Sequence, residues 1–390
     1  MSCAIILLVV RYGIVNSMYN VRHTQHGEEE RVMSMYDHSR SVMRSMGNTT
    51  QWEGYPTREQ LDRDIMLGNS YVVCRDNTPV GTFALVPGIE PTYDVIVHGR
   101  WIDTVHPYAT VHRLACADGV RGIAKAAFDH AKSQFAYVRF DTHESNPVMR
   151  HVAERDGFVY SGIVFMADST ERLAYEWWRW DEVDAALKSY VEESVLPQYD
   201  HFDAAHRREH ARRVIARSIL LGTKLGLEAN TLYVAAALHD VGLAFGRDVH
   251  HLEGGRMVRE NQLLHQWFDQ QTIEMIAQAV EDHRASANQP PRSLYGKVLA
   301  EADRDVEPER IVRRTVEYGM SHYPELDREG HWQRTLQHLQ EKYSSQGYIK
   351  LWLEESPNAE PLAELRQLIK NRDALRVLFD RIYEAERKLQ

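Results

Sequence analysis

Cysteine is scarce: Cys3, Cys74 and Cys116 are the three in 390 residues, and their spacing pairs none with another. This excludes a disulfide framework and a cysteine zinc site, and it fits a reducing, cytoplasmic setting. Long apolar runs are missing too. Ala4 to Val10 is apolar but far shorter than the roughly 20 residues a bilayer-spanning helix needs. No basic stretch precedes it and no cleavage site follows, so a signal peptide is not expected. Positive charge is in deficit: 46 Lys and Arg against 56 Asp and Glu give a net charge of -10, which argues against a general nucleic-acid binder. What remains is ordinary for a globular protein, with 43% hydrophobic and 26% charged residues, and the length suits two domains better than one core. No internal repeat is evident.

Residues 1–20 read as an N-terminal extension; of these, 1–17 precede Met18, where a natural first strand begins. From Tyr19 to about Trp178 strand-like and helix-like runs alternate. Helical patterns at 28–46 and 57–67 are followed by β-rich runs at 70–74 and 80–86, split by the turn residues Arg75-Asp76-Asn77-Thr78. Another strand falls at 111–116, helical spacing at 119–134, a strand at 136–141, a helix at 146–156 and strand pairs at 159–167 and 172–177. After Trp177-Trp178-Arg179-Trp180 the β signal stops, and helical periodicity runs from Asp181 onward, including 251–267 and a last helix from Pro361 to the end. The expectation is an α+β mixed sheet flanked by helices over residues 21–178, followed by an all-α bundle over 182–390.

The second part carries the clearer chemistry. An apolar helix, Tyr233 onward, runs into His239-Asp240, where an unpaired buried carboxylate is expensive. Other candidates lie on neighbouring helices: His206 and His210 one turn apart, the doublet His250-His251, His283 in AVEDHRAS and Asp303 in VLAEADRD. Imidazoles and carboxylates without thiolates suit Mn, Fe, Co, Ni, Zn or Mg. A divalent ion so held can polarise a phosphoryl oxygen and activate water. Gly242 is expected to let the chain turn away after the pair. Arg256, Arg284, Arg292, Lys297 and Arg304 flank these motifs, and Arg284 and Arg304 stand directly beside proposed ligands, as phosphate contacts would.

This pattern resembles the HD-domain superfamily of metal-dependent phosphohydrolases, whose signature is a His, a His-Asp doublet and a distant Asp. The resemblance implies His210, His239, Asp240 and Asp303 as primary ligands. It adds His251, in preference to His250, and His283 as further metal or phosphate contacts. His239, Asp240, His283 and Arg284 are then the catalytic set, acting on a nucleotide or other small phosphoester. EDHRAS, YGKVLAEADR and EKYSSQGYIKLW also resemble a bacterial subgroup of that superfamily, and the GYP signature of cyclic dinucleotide phosphodiesterases is missing.

In the first part, residues 112–158 run from a strand into the glycine loop Gly119-Val120-Arg121-Gly122-Ile123-Ala124, with a helix beginning at about Ile123. Backbone N–H groups at such a helix start bind pyrophosphate. The stretch, with the final GFVYSGIVFM strand, resembles the GNAT acyltransferases. That resemblance implies acetyl-CoA as cosubstrate and an amine acceptor. It places Arg121, Gly122, Ile123 and Ala124 at the pyrophosphate, Asn146 near the cofactor, and a carbonyl-polarising backbone N–H at Leu114, Ala115 or Cys116. Two features depart from the family: glycine replaces the loop's usual Gln or Arg, and Ala153 stands where a tyrosine commonly protonates the departing thiolate. Tyr160 is the candidate substitute, and Glu144, His143 and His112 are candidate bases. The expected whole is a bifunctional enzyme without membrane or nucleic-acid partners. The alternatives are a hydrolase regulated by a non-catalytic acyl-CoA sensor, or a metal-containing nucleotide-binding module.

Overall fold

The computed structural model describes residues 19–48, 51–203, 206–284 and 289–388. The expected extension at 1–17 lies outside the described residues, as do the last two residues of the EDHRAS stretch. The chain divides into two compact units. One runs up to Pro91 and resumes over Pro107–Asp156; the other comprises Thr92–His106 and Gly157–Gln390.

The first unit contains β1 (Asn20–His23), α1 (Glu29–Ser45), α2 (Arg58–Met66), β2 (Ser70–Arg75) and β3 (Thr78–Pro87). The second unit's β4 (Ile96–Val97) intervenes before β5 (Ala109–Cys116), α3 (Ile123–Gln134), β6 (Tyr137–Thr142) and α4 (Pro147–Arg155) complete the first. Its strands are ordered β1-β2-β3-β5-β6. Asp76 and Asn77 both take positive φ, 49° and 64°, and so make the tight turn between β2 and β3. Val32, Met35 and Tyr36 of α1 pack with Leu61 of α2 against Val72 and Cys74 of β2. Between β3 and β5 the register skips Phe83 on one side and Arg113 and Leu114 on the other. Arg113 takes a φ of 51° at that bulge, a left-handed conformation for a non-glycine residue. The parallel pairing of β5 with β6 covers Ala109, Thr110 and Val111 and then stops. The remainder of β5 therefore diverges from β6 and opens a gap in the sheet.

In the second unit β4 pairs with β7 (Val159–Phe165), and β7 with β8 (Glu171–Trp178), all antiparallel. The helices are α5 (Ala185–Tyr190), α6 (Arg208–Lys224), α7 (Ala229–Leu238), α8 (His250–Glu260), α9 (Gln270–Asp282) and α10 (Leu294–Asp303). Then come α11 (Pro308–His322), α12 (Arg328–Tyr343), α13 (Ala359–Lys370) and α14 (Arg372–Arg387). One core gathers residues of α5 to α10 around α7, which is apolar on every side. A separate core joins α11 to α14. Two expected helices are shorter than their periodicity. Asn261 takes an extended conformation and ends α8, its carboxamide accepting from Leu263 N, and Asn371 separates α13 from α14 by capping Ala374 N. Both are side-chain-to-backbone bonds that compete with helix continuation. Among the described residues no helix is long and apolar enough to cross a membrane.

Candidate metal centre

Five helix ends converge on one place. His239 directly follows α7, His283 directly follows α9, and Asp303 is the last residue of α10. His210 lies in the first turn of α6, and His250 opens α8. Three helix C-termini, each with partial negative charge, thus outnumber the two N-termini at the same point, leaving a net field that favours a cation. Local sequence fixes these ends. Glu228 caps α7, Asp269 caps α9 and Ser293 caps α10 with side-chain oxygens.

Two three-residue groups can each hold an ion: His210, His239 and Asp303, and Asp240, His250 and His283. Asp240 faces both. Its Oδ2 lies 3.1 Å from His239 Nε2 and 3.5 Å from His210 Nε2, while Oδ1 lies 3.5 Å from His283 Nε2 and 3.7 Å from His250 Nε2. Asp303 Oδ1 is 3.2 Å from His210 Nε2. The rings are oriented from behind: Nδ1 donates to Ala236 O (2.8 Å) from His239, to Arg247 O (2.6 Å) from His250 and to Val280 O (2.5 Å) from His283. A carbonyl only accepts, so each Nδ1 carries the proton and each neutral ring aims an Nε2 lone pair inward. His250 and His283, both locked in this way, bring their Nε2 lone pairs to 3.3 Å, where they repel unless a cation lies between them, and His210 Nε2 lies 3.1 Å from His239 Nε2. The donor set therefore fits divalent ions.

Without such ions, protons take up the role. Burial opposes charge on His239, but Asp240 and Asp303 outweigh it and lift the ring's pKa to about 9. Burial, and then His283, push His250 down to about 4. Asp240 and Asp303 stay well below the usual carboxylate range, because the surrounding rings overcome the cost of burial.

The sequence expectation for the doublet is reversed. His250 turns into the cluster, whereas His251 turns away and leaves its Nδ1 buried without a hydrogen-bond partner. Successive helix residues project about 100° apart, so one face of α8 admits one of the pair. His206 is occupied by Asp203, 2.8 Å away, and takes no part in either group. Gly242 has a different role from the one expected. The chain continues in a short 3-10 helix, and a Cβ there would lie 2.0 Å from His250 O and 2.6 Å from Gly254 N. Glycine is required because α8 passes directly over the His-Asp turn. Tyr199, which sequence reasoning missed, is buried beneath that turn; its OH donates to Ala237 O (2.9 Å) and accepts from Asp240 N (3.3 Å).

Of the flanking cations, Arg284 donates to Asp248 O, and Arg304 is buried beside Glu301 at 3.4 Å. Arg256 pairs with Glu253 and Glu260, and Arg292 with Glu281 and Asp282. Those two are surface ion pairs.

In the first unit, Gly119 and Gly122 take φ of 69° and 84°, shaping the loop before α3. No side chain caps that helix and no acidic residue stands in its first turn, so the N–H groups there, those of Ile123 and Ala124 among them, face an anion-ready end. Arg121 is exposed on the loop, and its carbonyl accepts from Tyr19 OH at 2.6 Å. Leu114, Ala115 and Cys116 line the part of β5 that has left β6. Burial, followed by Asp118, raises the Cys116 thiol, which is the wrong direction for a nucleophile. Asn146 caps α4 through Met149 N. His112 Nε2 lies 3.0 Å from Glu90 Oε2, and His143 Nδ1 is engaged by Ser145. Tyr160 belongs to the other unit, on β7, its ring 5.7 Å from Tyr175 in a cavity shared with Arg213, Arg217 and Asp305.

Residues 207–306 match the model of the HD domain family. The N-terminal region is 30% identical to a GNAT-family acetyltransferase from Streptococcus agalactiae, covering 96% of that chain and 42% of this one, with a TM-score of 0.39. The chain belongs to the GNAT acetyltransferase family and carries an HD domain behind that part. The GNAT assignment rests on the sequence identity. An HD superfamily hydrolase from an uncultured Thermotogales bacterium is 20% identical, covering 91% of that chain and 52% of this one, with a TM-score of 0.30. Naa50 of Arabidopsis thaliana, solved with a bisubstrate CoA analogue, is 9% identical over 98% of its length and 41% of this chain, with a TM-score of 0.29. No curated protein matches the chain. Both histidines of the two ion-binding groups that open helices, His210 and His250, lie inside the HD match, as do the other ligands.

Proposed function

We propose that the HD domain, within residues 182–390, is a divalent-metal-dependent phosphohydrolase acting on a nucleotide or another small phosphoester. We further propose that residues 21–178 form an acetyl-CoA-dependent N-acetyltransferase domain. The observation that carries the first reading is Asp240: a buried carboxylate that belongs to one group through Oδ1 and faces His210 and His239 of the other through Oδ2. His210, His239 and Asp303 would hold one ion, and His250 and His283 the other. A bound divalent ion supplies Lewis acidity toward a phosphoryl oxygen and acidifies a coordinated water. The chain's own residues do the positioning. Ala236, Arg247 and Val280 carbonyls lock three rings as Nε2 donors, and Tyr199 fixes the backbone of Asp240. Arg284, next to His283 in sequence and donating to Asp248 O, would meet a phosphoryl oxygen. Phosphate release from a phosphoester panel, with Mn, Co, Ni or Mg restored after chelation, tests this reading.

For the GNAT part, the uncapped start of α3 and the divergence of β5 from β6 support acyl-CoA binding. His112, oriented by Glu90 on the diverging strand, is the best-placed base of the three candidates. A second reading, a sensor that binds acyl-CoA without turnover, is favoured by one observation. Ala153, where the family's acid commonly stands, is fully buried and carries no proton donor. Calorimetry with acetyl-CoA tests binding, and thiol release with polyamine, amino-sugar and amino-acid acceptors separates transfer from sensing.

A further inference from the structure

The cavity that holds Tyr160 lies wholly within the second unit, and none of the metal ligands lines it. Its walls come from the segment after β4, from β7, from α6 and from the start of α11. Four guanidiniums line it, those of Arg100, Arg213, Arg217 and Arg310, against the two carboxylates of Asp305 and Glu307. Positive charge is therefore in excess by two, and both carboxylates are already committed. Asp305 Oδ2 lies 3.0 Å from Arg310 Nε. Glu307 caps α11, accepting from Arg310 N (2.7 Å) and Glu309 N (3.3 Å). Arg213 reaches Glu209 at 3.4 Å. Arg217 donates to Arg304 O (3.1 Å) and Arg100 to Pro357 O (3.2 Å), and neither has a carboxylate within ion-pairing distance among the described residues. Glu176, whose field also reaches Arg217, accepts from Ile102 N at 2.9 Å and from Ser161 Oγ.

The chain is built to hold these cations together. Arg213 and Arg217 stand one turn apart on α6, on the same face. Gly99 lets the segment carrying Arg100 lie against β7, since a Cβ there would be 2.0 Å from Ser161 O. Burial, and then Arg310, pull the Arg213 guanidinium below its ordinary value, and burial lowers Arg217 as well. Like charges gathered out of water repel, and a bound anion is the simplest relief. The space sets the anion's size. The enclosed part has room for the centre of one water-sized group, about 10 Å³, within a cleft of about 270 Å³ that opens to solvent. That admits one oxygen of an oxyanion, with the remainder at the mouth, and it does not enclose a nucleoside.

We propose that this arginine-lined cavity is a phosphate site separate from the metal centre, in which Arg100 and Arg217 hold a single phosphate group between Arg213 and Arg310. Guanidiniums without carboxylate partners recognise such an oxyanion through charge-assisted hydrogen bonds. The test is calorimetry on the manganese-loaded full chain at low salt, titrated with inorganic phosphate and with glycerol 3-phosphate. Phosphate taken up at the metal ions is common to every protein compared, so the result does not depend on the phosphohydrolase reading. The wild type should bind one equivalent of phosphate more than Arg217→Gln, with manganese content the same in both. Losing one charge-assisted contact weakens binding at least about tenfold, which removes that equivalent from the isotherm. Arg100→Gln, in the segment after β4 rather than on a helix, should do the same and guards against a folding defect in the first variant. A matching gain with glycerol 3-phosphate identifies the ligand as a phosphomonoester, and a gain with phosphate alone identifies it as the free ion. No additional equivalent in the wild type, or one that both variants retain, overturns the proposal.

Discussion

Gly242→Ala perturbs the centre without touching a ligand. The added methyl would meet two backbone atoms, His250 O at 2.0 Å and Gly254 N at 2.6 Å. Cβ atoms keep at least 3.0 Å from such neighbours, so the start of α8 must retreat by about 1 Å. Overpacking of this kind costs about 1–3 kcal/mol. The retreat carries His250 with it, and metal–ligand distances tolerate only about 0.2 Å. His210, His239 and Asp303 lie on other helices and should keep their geometry. The expected result is loss of one of two bound ions, a melting temperature lowered by several degrees, and hydrolysis reduced at least about tenfold. Gly254→Ala, on the facing surface, is the control. Its methyl would meet Val280 Cγ1 at 2.9 Å and no backbone atom closer than 3.7 Å, a milder overlap, so its effect should be smaller on every readout. Metal analysis after desalting and thermal unfolding with and without chelator measure both. A Gly242→Ala protein that holds two ions with wild-type turnover refutes the close approach of α8 as the reason for glycine.

Three further outcomes follow from the same geometry. His250→Ala should lower metal content and activity about tenfold or more, while His251→Ala should leave metal content unchanged; parallel metal analysis of the two decides. In the metal-free protein His239 has a pKa of about 9 against an ordinary 6.5, so its protonation stabilises the fold fully below 6.5 and is lost as pH rises through 9. Melting temperatures of chelated protein should therefore fall between pH 6.5 and 9, and added metal, which replaces that proton, should flatten the slope. Gly122→Ala places a side chain at a φ of 84° in the loop before α3, and calorimetry should show acetyl-CoA binding weakened several-fold with the HD activity unaffected.

Much of this was readable from the chain because the ligands are tied to helix ends. His239-Asp240 follows the apolar run of α7, and Asp303 closes the periodic stretch of α10, so sequence periodicity located both. The change from alternating strands to helices near Trp178 marked the passage from mixed sheet to helical bundle. What escaped depends on rotation and long-range contact. Whether His250 or His251 faces inward is set by the rotation of α8, and α8 packs against Gly242, eight residues before His250. Tyr199 reaches the centre from a segment with no ligand motif, held by a backbone contact. The bulge at Arg113 likewise leaves no periodic trace, because it is a skipped register rather than a residue type.

The most direct measurement is phosphate release by chelator-stripped protein with Mn, Co, Ni or Mg restored, wild type beside Asp240→Ala. Asp240 touches both ligand groups, and removing it leaves four rings with no shared carboxylate. The account predicts activity only in the wild type with metal, and loss of bound metal together with hydrolysis in the variant. Unchanged metal content and hydrolysis in Asp240→Ala would contradict it.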